Sequence, residues 1–207
     1  MIKVLIVEDQ PMMSELMASY IAGADGYALA GTLDRAGLAE GFCASNMVDL
    51  VLMDVCTGRD ESGFEATKAI KARFPKIKVI IVTSMLDVDY IDRAREVGAD
   101  SLWYKDISQT ELMKVTEMTM NGYSVFPDKT PEVRIGEASS YEFSKAEIRI
   151  LRLLVEGMTY KEMAEELNLS VETVKSHIRN MLQKTGFTSK TKLAAMVMSK
   201  RLIVNGF

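Results

Sequence analysis

The run Leu50-Val51-Leu52-Met53 constrains this chain more than any other stretch. Four apolar residues in succession read as a strand buried on both faces, the pattern of a parallel sheet covered by helices. Asp54 follows at once. An ionised carboxylate at the edge of an apolar layer is costly unless something pairs with it. The strand candidate Ile2-Lys3-Val4-Leu5-Ile6-Val7 ends in the same way, in Glu8-Asp9. Two buried strands that both terminate in acid suggest that these carboxylates meet at one edge of one sheet.

The following segments extend the pattern. Tyr27 to Leu33 is a further strand candidate, Lys78 to Val82 runs into Thr83-Ser84, and Asp100 to Tyr104 runs into Lys105. Helical spacing lies between them. Pro11 opens a helix carrying Leu16, Met17, Tyr20 and Ile21, and Ala36 to Ala44 is helix-like. A helix with Phe64, Ile70 and Phe74 stops at Pro75; another spans 88–97 and stops at Gly98; a third spans 108–120 and stops at Asn121-Gly122. The stretch from Cys56 to Gly63 reads as an irregular loop. Five strands alternating with five helices predict a flavodoxin-like α/β domain, a doubly wound five-stranded parallel sheet. Right-handed crossovers bring all strand carboxyl ends to one edge, where such sheets bind ligands. Glu8, Asp9, Asp54, Thr83, Ser84 and Lys105 fall there. Hydrophobicity alone marks these strands, so the polar residues at their ends are an independent observation.

Charge divides the chain. Residues 1–139 hold 14 Lys/Arg against 22 Asp/Glu, a net of −8, while residues 140–207 hold 11 against 7, a net of +4. Such a split suggests two domains with different partners. We expect a first domain over 1–121, a linker over 122–142 rich in Pro, Gly and Ser, and a small all-α domain over 143–207. In the last of these, Ser144 and Glu147 form a capping box, followed by helices over 160–167, 171–184 and about 190–201. No apolar run approaches the roughly 20 residues of a membrane span. No signal peptide is expected, and Cys43 and Cys56 lack metal spacing, so a reduced, cytoplasmic protein is the expectation.

Two carboxylates about 5 Å apart repel by roughly 3 kcal/mol at an effective dielectric of about 20. Glu8, Asp9 and Asp54 together therefore call for a cation. The ligands are hard oxygens, which suits Mg²⁺, and Mg²⁺ usually shares its shell with phosphate oxygens. Asp54 ends a central strand and is the best candidate for a carboxylate nucleophile forming an aspartyl-phosphate. Lys105 and Thr83 are placed to meet phosphoryl oxygens. The plain alternative, solvated acids after strands, is common for any one residue and uncommon for all of them jointly.

In 171–184, Val171, Val174, Ile178, Met181 and Leu182 form one apolar stripe, opposite Thr173, Lys175, Ser176, Arg179 and Asn180. Ser170 is a good N-cap. A short helix, a brief turn and a second helix with a polar-basic outer face make a helix-turn-helix, whose second helix fits the DNA major groove. From spacing alone, a helical bundle with a solvated face is as good a reading. His177 reads as packed or phosphate-contacting, and the 15 methionines read as core filling.

With these residues in view, two resemblances emerge. Glu8-Asp9, Asp54, Thr83 and Lys105 resemble the receiver domain of bacterial two-component response regulators, over about residues 1–121. The resemblance implies phosphotransfer from a histidine kinase to Asp54. It also implies Mg²⁺ held by Glu8, Asp9, Asp54 and the backbone carbonyl of Cys56, with Thr83 and Lys105 on the phosphoryl group. Ser144-Lys145-Ala146-Glu147, Gly157 to Ala164, Ser170 to His177 and Gly186-Phe187 resemble the LuxR-type helix-turn-helix. Together they resemble the NarL/FixJ class of transcriptional regulators. That class implies promoter DNA met by Thr173, Lys175, Ser176, His177 and Arg179. It also implies a homodimer when phosphorylated, a dimer contact on the 190–201 helix, and RNA polymerase as a further partner.

Three departures stand out. The loop after Asp54 lacks the family's usual Met-Pro and is one residue longer, Leu102 takes the place of an aromatic switch residue, and Tyr160 replaces the usual Asn. The expected function is a phosphorylation-dependent DNA-binding regulator, not an enzyme beyond its own phosphotransfer and dephosphorylation. The alternatives are a regulator that binds DNA without phosphate and a Mg²⁺-dependent flavodoxin-like phosphatase with a helical appendage.

Overall fold

The computed structural model describes residues 1–87, 89–105 and 109–203. The predicted helix starts at 88 and 108 lie outside the described residues. The chain divides into two compact units, one from residues 1–84 and 89–128, the other from 129 onward together with a short segment beginning at Met85.

The first unit is built on a five-stranded sheet. Its strands are β1 (Ile2–Val7), β2 (Tyr27–Leu33), β3 (Leu50–Asp54), β6 (Lys78–Thr83) and β7 (Ser101–Tyr104), in the order β2-β1-β3-β6-β7. Every pairing is parallel. All five residues of β3 are buried, as are the last four of β1 and the last five of β6. Burying each large aliphatic side chain contributes about 1.5–3 kcal/mol, which is why continuous apolar runs occupy the centre of the sheet. Helices α1 (Pro11–Ala22), α2 (Ala39–Ser45), α3 (Gly63–Arg73) and α4 (Tyr90–Glu96) connect the strands, and α5 (Gln109–Met120) follows the last of them. Chain order reverses on either side of β1, so the switch point lies between β1 and β3. There the register aligns Val7 with Met53 and Asp54 with Val82, bringing the ends of β1, β3 and β6 together.

The stretch after Asp54 differs from the loop expected. Cys56–Thr57 (β4) and Glu61–Ser62 (β5) pair antiparallel around a tight turn over Gly58–Asp60, in which Arg59 takes the left-handed region at φ 65°. Its hydrogen bonds run to the segment after β2, about twenty residues earlier in the chain, a contact that no local pattern announces.

In the second unit, α6 (Lys145–Val155), α7 (Tyr160–Leu167), α8 (Val171–Thr185) and α9 (Lys190–Ser199) enclose one apolar core. The Ser144–Glu147 capping box forms as expected: Ser144 Oγ accepts from Glu147 N–H at 3.2 Å, and Glu147 Oε2 accepts from Ser144 N–H at 2.8 Å. Thr159 and Glu162 cap α7 in the same manner. Three residues of the stretch expected to be linker, Val133, Ile135 and Ala138, are buried in this core. Two of them lie on a two-stranded ribbon, β8 (Arg134–Ile135) and β9 (Ala138–Ser139). The buried carboxylate of Asp87 belongs to the same unit and accepts from Arg152 Nη1 at 2.8 Å. No helix among the described residues is long and apolar enough to cross a membrane.

Candidate functional site

Glu8 follows β1 directly, and its N–H donates to the Leu33 carbonyl at 2.8 Å, which fixes where the acid pair leaves the sheet. Asp54 is the last residue of β3. Lys105 follows β7, and its N–H donates to the Thr83 carbonyl at 2.9 Å. Glu8, Asp9, Asp54 and Lys105, separated by up to 97 residues in sequence, thus share one edge of the sheet. One carboxylate oxygen from each of Glu8, Asp9 and Asp54 lies within 4.8 Å of the other two. Lys105 Nζ is 3.0 Å from Asp54 Oδ2 and also pairs with Glu8 Oε2. Asp54 Oδ1 accepts from Val55 N–H at 2.8 Å, and Glu8 Oε1 accepts from Gln10 N–H at 3.0 Å.

Burial sharpens the electrostatics. Glu8, Asp54 and Lys105 are 2%, 5% and 8% exposed, while Asp9 is open to solvent. With all groups ionised, one ammonium faces three carboxylates, a surplus of two negative charges. Desolvation pushes the Asp54 carboxyl up to about 7; Lys105 opposes this and Glu8 reinforces it. The donor set is all hard oxygen and, once ionised, keeps a surplus of two negative charges beyond what Lys105 neutralises. These residues fit a hard divalent cation. Thr83 is fully buried at the end of β6, one strand from Asp54, and Cys56 is half-buried two residues beyond it.

Two residues shape the site that strand-end reasoning did not select. A Cβ on Gly63 would come 1.9 Å from the Asp54 carbonyl oxygen, so no other residue fits where α3 starts. Gly63 N–H donates to the Val55 carbonyl at 2.8 Å. Thr57 is 2% exposed and hydrogen-bonded on both sides. A glycine eight or nine residues after a strand is a weak sequence signal, and Thr57 has none.

The second cluster lies on α8. Val174, Ile178, Met181 and Thr185 are buried; Lys175, Ser176, Arg179 and Asn180 are exposed; Thr173 and His177 are half-buried. Val171, expected in the apolar stripe, is exposed at the first position of the helix. Ser170 Oγ accepts from Thr173 N–H at 3.0 Å, and Gly186 ends the helix at φ +73°. Tyr160 opens α7 and stacks under Lys190, whose Nζ is 4.4 Å from the ring centroid. The unusual Tyr160 therefore ties the start of α7 to the start of α9.

A sheet-edge acidic cluster with a buried lysine, followed by a helix-turn-helix module, defines a class that comparison identifies. Residues 4–117 match the family model of the response regulator receiver domain, and residues 142–197 match that of the bacterial regulatory proteins of the luxR family. The chain belongs to the two-component response regulators of the NarL/FixJ type, with a receiver domain and a LuxR-type DNA-binding domain.

Among its relatives is the response regulator protein VraR of Staphylococcus aureus (strain Mu3 / ATCC 700698). It is 31% identical over 212 residues, covering 98% of this chain and 99% of VraR. RcsB from Salmonella enterica serovar Typhimurium, solved bound to promoter rprA with the phosphomimetic BeF3-, shares the fold at TM-score 0.63 and 21% identity. That match covers 96% of this chain and 99% of RcsB. The response regulator ChrA of a heme-sensing two-component system aligns at TM-score 0.51 and 23% identity, over 98% of each chain.

Proposed function

We propose that this response regulator is phosphorylated on Asp54 by a histidine kinase and in that state binds promoter DNA as a homodimer through α8. The observation that carries the reading is the convergence of Glu8, Asp9, Asp54 and Lys105 on one sheet edge. In this reading residues 1–121 are the receiver, 122–142 the connection and 143–207 the DNA-binding domain. Glu8, Asp9, Asp54 and the Cys56 carbonyl hold Mg²⁺, which when bound supplies charge neutralisation to the transferring phosphoryl group.

The remaining chemistry falls to the chain itself. An Asp54 carboxylate oxygen attacks phosphorus, the P–N bond of the kinase phosphohistidine breaks, and the leaving imidazole keeps the electron pair. Lys105 meets a phosphoryl oxygen and Thr83 donates to another. Catalysis goes no further than this transfer and the later hydrolysis of the aspartyl-phosphate. The added charge of about −2 draws Thr83 and Lys105 inward and biases the adjoining helix between two packings.

On DNA, Lys175, Ser176 and Arg179 have the exposure a groove-reading surface needs. Thr173 and His177 flank them toward the phosphates. Two-fold symmetry sets two half-sites about one helical turn apart. The work is cytoplasmic, with RNA polymerase as the downstream partner. Intact-mass spectrometry after incubation with an acyl phosphate and Mg²⁺ tests the first half. Wild type gains one phosphoryl group and Asp54→Asn gains none; equal labelling of the two proteins removes Asp54 from the acceptor role.

A further inference from the structure

The loop after Asp54 lacks the proline expected of its family, and the structure supplies a different restraint. Thr57 Oγ1 accepts from Ala36 N–H at 2.8 Å and donates to the Glu61 carbonyl at 3.1 Å. Gly58 N–H donates to the Asp34 carbonyl at 3.1 Å. Proline at 58 has no N–H and would lose that bond. Even a Cβ there would lie 3.0 Å from the same carbonyl oxygen and 3.9 Å from the Asp9 Cβ. Glu61 Oε2 accepts from Gly37 N–H at 2.6 Å, with Arg35 4.0 Å from its other oxygen. The β4–β5 hairpin is therefore clasped onto residues 34–37. Those residues continue directly from Leu33, whose carbonyl takes the Glu8 N–H. One segment thus registers both the acid pair and the hairpin.

We propose that Thr57, with Glu61, is a positioning residue for the divalent cation, fixing the peptide plane that carries the Cys56 carbonyl. The Cys56 carbonyl belongs to the peptide whose nitrogen is Thr57's, and a planar peptide cannot turn one end without the other. Holding Thr57 by a buried hydroxyl with two partners, and Gly58 by its N–H, fixes the direction of that carbonyl. The inference rests on the reading that the Cys56 carbonyl is a ligand. Thr57→Val keeps the shape of the side chain and removes both hydroxyl bonds; Thr57→Ser keeps the hydroxyl. Loss of outer partners that orient metal ligands typically weakens metal affinity by about 10–100-fold.

The test uses full-length protein and Mn²⁺ as the probe, with free ion counted by its paramagnetic resonance signal and folding checked by thermal unfolding. Thr57→Val is expected to raise the Mn²⁺ dissociation constant about tenfold, Thr57→Ser to stay within about twofold of wild type, and Glu61→Ala to raise it a few-fold. Saturating Mg²⁺ should restore phosphoryl loading of Thr57→Val from an acyl phosphate, since the acceptor itself is intact. A folded Thr57→Val that binds Mn²⁺ like wild type overturns the inference. If Thr57→Val does not fold, the half-exposed Glu61→Ala carries the same test, and unchanged affinity there overturns it equally. Wild type that binds Mn²⁺ no better than an Asp9→Asn, Asp54→Asn double variant defeats instead the cation reading beneath it.

Discussion

Replacing Asp54 by asparagine should stabilise the metal-free protein, and by an amount that depends on pH. The Asp54 carboxyl stands at about 7 against an ordinary 3.8, chiefly because it is buried. The folded protein therefore holds a proton between about pH 4 and pH 7 that the unfolded chain has released. More protons bound in the folded state means that stability falls as pH rises through this window. One pKa unit corresponds to about 1.4 kcal/mol, so the ceiling on the cost of charging Asp54 is about 4 kcal/mol. Water entry and relaxation around the ion bring the expected cost to about 1–3 kcal/mol.

Asparagine resembles the protonated acid in shape and leaves Lys105 paired with Glu8. Urea unfolding followed by the emission of Trp103, the chain's single tryptophan and buried in β7, reads the first unit directly. Asp54→Asn should exceed wild type by about 1–3 kcal/mol at pH 8 and match it near pH 4. Millimolar Mg²⁺ should narrow the pH 8 gap by stabilising wild type selectively. A variant no more stable than wild type at pH 8 without Mg²⁺, or an equal gain at both pH values, would refute the electrostatic reasoning.

Other outcomes follow from the same geometry. Gly63→Ala forces a Cβ into the Asp54 carbonyl, so it should cost at least about 2 kcal/mol by chemical unfolding and abolish phosphoryl uptake by mass spectrometry. Lys175→Ala and Arg179→Ala should leave phosphorylation intact. Removing a side chain that meets a DNA phosphate lowers the salt slope of binding by about one, while removing a base reader costs about 1–3 kcal/mol at one operator position. Glu147 is held below the usual carboxylate range by Lys184 and Ser144 against its own burial. Its contribution is therefore present above the unfolded-state pKa and lost as pH falls through the lower folded value. Lys184→Met should erase much of that acid dependence in far-ultraviolet circular dichroism of α6–α9.

What could be seen in the sequence was what short-range chemistry dictates. Leu50 to Met53 and Ile2 to Val7 announce buried parallel strands because both faces of a central strand demand apolar side chains. The polar residues at their ends then meet by topology. The Ser144–Glu147 cap is legible because its partners are three residues apart. The Cys56–Ser62 hairpin is not, because Thr57 and Glu61 bond to Ala36 and Gly37, and nothing local marks a hydroxyl for a partner that far away. Val133, Ile135 and Ala138 are hidden among Pro, Gly and Ser, the last two on strands of two residues, too short to display alternation. Val171 fits the helical stripe by spacing, yet it sits at the first position of α8, and the core reaches the helix only from Val174 on.

The proposed control of DNA binding by phosphate at Asp54 is tested most directly by fluorescence anisotropy. The titration uses labelled DNA from upstream of the protein's own coding region, with wild type and Asp54→Asn, each with and without an acyl phosphate and Mg²⁺. Phosphodonor should tighten wild-type binding about tenfold or more and leave Asp54→Asn unchanged, as the proposed coupling of phosphorylation to dimerisation requires. The same affinity in all four titrations would contradict the account.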